Sequence, residues 1–159
     1  MEHEVYVSRE KTGLGHGESI RLIRKAVTMV LDAEGIEQPC LVSVMLTDDE
    51  GIRALNREFR GIDRATDVLS FPLNELHPGD FDPEDCEHDP ETGALMLGDM
   101  MISVPRCEAQ GLEYGHGYAR ELMYLTVHSI LHLLGYDHVD EGPMKRQMRE
   151  REKAIMGDD

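Results

Sequence analysis

Apolar residues recur along this chain in two periods, and each change of period marks a new element. Val5 to Val7 alternates like a short strand. Ile20, Ile23, Val27 and Val30 then fall at helical spacing, predicting a helix over Glu18 to Glu34 with Gly35 as its C-terminal stop. Pro39 introduces Cys40 to Leu46, apolar on nearly both faces, which predicts a buried strand. Thr47 and Glu50 read as a capping box, with Asp48 and Asp49 in the first turn of a helix carrying Ile52, Leu55 and Phe59 on one face. Val68 to Phe71 is a third strand stopped by Pro72. Residues 75–91 hold Pro78, Pro83 and Pro90 and few apolar positions, which predicts a mobile surface loop.

Leu95 to Ile102 reads as a fourth strand, and Ser103 with Pro105 suits a helix start. Tyr118 to Leu134 is apolar around most of its circumference and should run through the core. A last helix spans Pro143 to about Met156. Strands alternating with helices, without repeat or linker, predict an α/β (α+β) fold. The expected form is one compact domain over residues 1–159, with a small four-stranded mixed sheet packed against about five helices. A chain of this length buries roughly 70% of its unfolded surface and needs no staples.

Charge changes the picture in one place. The net charge is −16, which by itself argues against a polyanionic partner. Eight acids lie between Glu75 and Glu91 with no Lys or Arg among them, so half of that charge sits in the acidic loop. The start, Met1-Glu2-His3-Glu4, has no basic region followed by an apolar stretch, and no apolar run reaches the roughly 18 residues of a membrane span. Three Cys without a C-x-x-C pair suit a reducing cytoplasm. They read as small hydrophobes or incidental surface thiols.

The candidate chemistry lies in the segment His128-Ser129-Ile130-Leu131-His132-Leu133-Leu134-Gly135-Tyr136-Asp137-His138. Residues four apart on a helix share a face, so the imidazoles of His128 and His132 can reach one metal. Gly135 permits a turn that returns His138 as a third ligand. Three protein ligands leave one tetrahedral position for water, the layout of a catalytic zinc site with one Zn²⁺ per chain. Asp137 is a candidate acceptor behind His138. The spacing matches the metzincin peptidase pattern H-E-x-x-H-x-x-G-x-x-H, except that Ser129 stands where the glutamate base belongs. Serine cannot act as a carboxylate base.

A second segment runs from Leu55 to Pro72, with Arg53, Arg57 and Arg60 at helical spacing opposite the apolar face. These arginines read either as a solvated face balanced by Glu50, Glu58 and Asp63, or as a source of a bidentate phosphate clamp.

Together the segments resemble the YbeY family of rRNA-maturation endoribonucleases. The resemblance rests on Asn56, Phe59-Arg60, Thr66-Asp67-Val68-Leu69-Ser70-Phe71-Pro72, Leu97-Gly98-Asp99 with Ile102-Ser103, and His128 to His138. Ala65 and Ser129 depart from the usual proline and glycine. The resemblance implies a metalloprotease-like fold and zinc on His128, His132 and His138, with Arg60 important for activity. It further implies single-strand-specific hydrolysis of RNA phosphodiesters by metal-bound water, in 16S rRNA 3′-end maturation and ribosome quality control. The implied partners are an rRNA precursor and the ribosome or its small subunit, with no membrane and no DNA. Two other readings stay open: a zinc peptidase of metzincin-like geometry, and a ribosome-associated binding protein with a structural zinc.

Overall fold

The computed structural model describes residues 3–15, 17–77, 82–136 and 143–157. Nine regular elements follow one another: β1 (Glu4–Arg9), α1 (Ser19–Ala33), β2 (Cys40–Thr47), α2 (Asp49–Arg60), β3 (Val68–Pro72), β4 (Leu95–Ser103), α3 (Val104–Glu113), α4 (Gly117–Leu133) and α5 (Pro143–Met156). The sheet order is β1-β2-β4-β3. β1, β2 and β4 are parallel, and β3 runs antiparallel to β4, with Val68 opposite Ile102 and Phe71 opposite Asp99. This is the expected four-stranded mixed sheet with five helices.

The core lies on one face of the sheet. Val42, Val44 and Leu46 of β2 and Met100 and Ile102 of β4 point into it, against Ile23, Val27 and Val30 of α1 and Leu122, Leu125 and Ile130 of α4. Deep burial of both β2 faces was expected, but Leu41, Ser43 and Met45 are only half-buried. With Leu55 and Phe59 of α2, Ser43 and Met45 line an open groove of about 720 Å³. The apolar run of β2 thus reflects a half-covered second face rather than a buried one.

Local details correct two further expectations. The cap of α2 is Asp48, whose carboxylate accepts from the Gly51 N–H at 2.8 Å. Thr47 ends β2 instead, and its hydroxyl donates to Glu10 Oε2 at 2.7 Å, so no Thr47–Glu50 box forms. Phe59 does not join Ile52 in the core. It is 61% exposed and meets the edge of Phe71 with ring centroids 5.4 Å apart.

The acidic segment is better organised than a loose loop. Residues 78–81 lie outside the described residues, but Leu76 and Cys86 are buried and Pro83–Asp85 forms a 3₁₀ turn. His88 bridges to Leu95, and its ring is hydrogen-bonded to the carbonyls of Pro83 (2.9 Å) and Gly93 (3.1 Å). Two buried apolar side chains and a bridge are enough to pin a segment whose composition alone reads as solvated. All three Cys are buried.

Candidate metal centre

Helix α4 is buried nearly all round, so the two imidazoles it carries are placed by core packing rather than by a surface side chain's freedom. His128 and His132 lie one turn apart, with ring centroids 4.8 Å apart and ring planes at 78°. The helix ends in a Schellman motif: Tyr136 N–H donates to the Leu131 carbonyl and Gly135 N–H to that of His132, both at 3.0 Å. Gly135 sits at φ +105°, and a Cβ there would lie 2.1 Å from the Leu76 carbonyl oxygen. Only glycine meets both demands. His138 and Asp137 lie outside the described residues. Among the described residues, no three His, Cys, Asp or Glu side chains gather as a metal site.

The donor chemistry of the described pair fits a metal. Glu152 of α5 is 6% exposed, and its Oε2 lies 2.8 Å from His128 Nδ1. Its Oε1 accepts from the Tyr124 hydroxyl at 3.3 Å. A carboxylate on Nδ1 fixes the tautomer so that Nε2 is the nitrogen that would ligate, and it makes the ring more basic. Burial, and after it the charge of Glu152, pushes the Tyr124 hydroxyl well above its ordinary pKa. Glu152 escaped the sequence reading. Its one signal is its place four residues after Met148, the buried anchor of α5. That spacing acquires meaning only once α5 is known to dock on α4.

Ser129 is fully buried, and its hydroxyl is 2.6 Å from that of Ser70 on β3. At the position of the peptidase glutamate, the side chain therefore ties α4 to the sheet edge.

Arg60, the last residue of α2, lines one cavity of about 380 Å³ with His128 and His132. Thr66, Asp67, Ser70 and Tyr136 complete much of its wall. Residues more than 60 positions apart in the chain thus share one cleft. Of the three arginines on that helix, Arg53 is held by Asp63 in a two-pronged pair (2.8 and 3.2 Å), and Arg57 does not line the cavity. Asp67 is committed elsewhere: Oδ1 accepts from Val68 N–H at 2.7 Å and Oδ2 from Gln110 Nε2 at 3.3 Å. Gln110 also reaches buried Glu121 at 2.8 Å, and Glu121 in turn meets His116 at 2.8 Å. This chain of polar contacts fastens the segment before β3 to α3 and α4.

The family model for endoribonuclease YbeY matches residues 5–158. The chain belongs to the YbeY family. Its similarity to curated members is high over most of both chains. It is 42% identical to the endoribonuclease YbeY of Clostridium acetobutylicum, covering 96% of this chain and 95% of that one. It is 42% identical to that of Acetivibrio thermocellus (87% and 85% covered) and 48% identical to that of Desulfitobacterium hafniense (84% and 78% covered). Among solved structures it resembles the solution structure of TM1509 from Thermotoga maritima, with TM-score 0.57, 27% identity, and 96% and 89% of the two chains covered. YbeY proteins are metal-dependent hydrolases of RNA. No helix among the described residues is long and apolar enough to cross a membrane.

Proposed function

We propose that this protein is a zinc-dependent, single-strand-specific endoribonuclease of rRNA maturation. It would act in the cytoplasm on the 3′ end of a 16S rRNA precursor and in quality control of the ribosome or its small subunit. The observation that carries this reading is the shared cleft of Arg60, His128 and His132 in a YbeY chain. His128, His132 and His138 would hold the metal. Bound there, zinc supplies Lewis acidity and makes hydroxide available near neutral pH.

The chain's own residues do the rest. Glu152 holds His128 in one tautomer. Arg60 offers a planar fork to a phosphate and offsets the charge that grows on it in the transition state. Its exposure leaves the guanidinium accessible to a strand entering the cleft. A cavity of about 380 Å³ has the size of a small-ligand site and can take one nucleotide. Among the described residues the cleft offers the peptidase reading no free base, because Ser129 is buried against Ser70 and Asp67, the one carboxylate lining it, is bound to Val68 and Gln110.

Arg60 provides the test. Arg60→Ala should keep zinc and melting temperature while losing cleavage of an unstructured RNA, and Arg60→Lys should rescue poorly because a point charge does not replace a fork. Loss of zinc, or a large fall in melting temperature, would make Arg60 structural instead.

A further inference from the structure

A chain of net charge −16 places five of its 16 basic residues on one helix, α5. Arg151 is used internally, donating to Glu34 and to the Ala33 carbonyl. Arg146, Arg149 and Lys153 face the other way. With Arg120 of α4 they line a groove of about 600 Å³ between α4 and α5. Two carboxylates also border it. Glu152 is turned inward onto His128 and Tyr124, which leaves Glu150 against four cations.

A third cavity shares lining residues with both this groove and the cleft. It is smaller, about 270 Å³, and is lined by His128, Lys145 and Arg149 together with Tyr124 and Glu152. It shares His128 with the Arg60 cleft, and Tyr124, Arg149 and Glu152 with the basic groove. His128 of the candidate metal site thus borders a cavity that two cations of α5, Lys145 and Arg149, also line.

We propose that the α4–α5 groove is a second RNA subsite, which binds the phosphates of the strand beyond the nucleotide held in the cleft. The proposal rests on the endoribonuclease reading and adds a binding surface to it. A local cationic groove attracts a polyanion even when the net charge repels one, because potentials near a surface follow nearby charges and the rest is screened.

The test is the triple variant Arg146→Gln, Arg149→Gln, Lys153→Gln in the full zinc-loaded chain. Glutamine has nearly the helix propensity of the residues replaced, so α5 should persist, as circular dichroism and melting would verify. Cleavage is measured on an unstructured tetranucleotide and on a 20-nucleotide RNA. The proposal expects about a tenfold rise in KM for the 20-mer at low salt, an unchanged kcat, and unchanged tetranucleotide cleavage. The slope of log affinity against log salt for the 20-mer should fall by about 2, since each single-strand phosphate contact contributes about 0.7. An unchanged KM and salt slope would overturn the subsite, and so would an equal loss on the tetranucleotide. Binding of the 20-mer to His132→Ala, with and without the triple change, separates the two claims. If RNA binds through the groove but the parent chain cuts no RNA, the subsite stands and the endoribonuclease reading falls.

Discussion

Removing the Glu152 carboxylate should weaken zinc binding without touching a ligand. The carboxylate is 6% exposed and satisfies two donors, His128 Nδ1 at 2.8 Å and the Tyr124 hydroxyl at 3.3 Å. Outer partners of ligating histidines are worth about 10–100-fold in metal affinity. That is roughly 1.4–2.8 kcal/mol at 1.4 kcal/mol per decade. Glu152→Ala also strands two largely buried donors, at about 1–3 kcal/mol each. Both neighbours keep partial access to water, which favours the lower end. The apo protein should then melt on the order of 5 °C lower, taking about 2–4 °C per kcal/mol for a chain of this size. Glu152→Gln keeps one acceptor and loses the charge, so it should fall between. Zinc affinity is read by competition with a chromophoric chelator, and stability by calorimetry of the metal-free chain. The expected order is parent, then Gln, then Ala. If Glu152→Ala binds zinc within threefold of the parent, Glu152 does not orient His128 for a metal.

Three further outcomes are expected. Gly135→Ala should cost about 1–3 kcal/mol from its φ of +105°, plus a clash with the Leu76 carbonyl, whereas Gly35→Ala, also at positive φ but with open space around it, should cost markedly less; equal melting temperatures would contradict this. Burial pushes the thiols of Cys40 and Cys107 up to about 12, and raises that of Cys86 as well. Native protein should therefore be inert to dithiobis-nitrobenzoate at pH 8 and titrate three thiols once unfolded. Burial, helped by its hydrogen bond to Glu34, pushes Tyr136 up to about 12, above the roughly 10 of an unfolded tyrosine. The fold prefers the protonated form, so its contribution is complete below about pH 10 and is lost as pH rises from there to about 12. Urea midpoints should fall across that window, and Tyr136→Phe should flatten the fall.

What was legible in the sequence is what local periodicity encodes. α5 begins and ends at the residues its pattern predicts, α1 and α4 lie within a residue or two, and the turn at Gly135 is where a glycine was needed. What was not legible depends on neighbours remote in the chain. The inward turn of Glu152 follows from docking α5 on α4, and the exposure of Phe59 from an open sheet face. Leu76 and Cys86 join a core built from elements remote in the chain, so their segment reads as loose when taken alone. Helical spacing leaves the three arginines equivalent; the resemblance singles out Arg60, and tertiary structure separates Arg53, spent on Asp63, from Arg60 in the cleft. The chemistry behaved differently. The spacing of His128 and His132 could be read directly, since two imidazoles one helical turn apart are a local feature.

Cleavage of RNA by zinc on the histidine segment is the proposed activity. It is tested most directly by measuring bound zinc and cleavage of an unstructured RNA on the same preparations of parent and His132→Ala. The expected result is about one zinc per parent chain, cleavage that disappears on chelation and returns with zinc, and neither metal nor cleavage in His132→Ala. Full zinc content in His132→Ala would remove His132 from the metal site, and RNA cleavage that survives in it would show that the metal does not cut RNA.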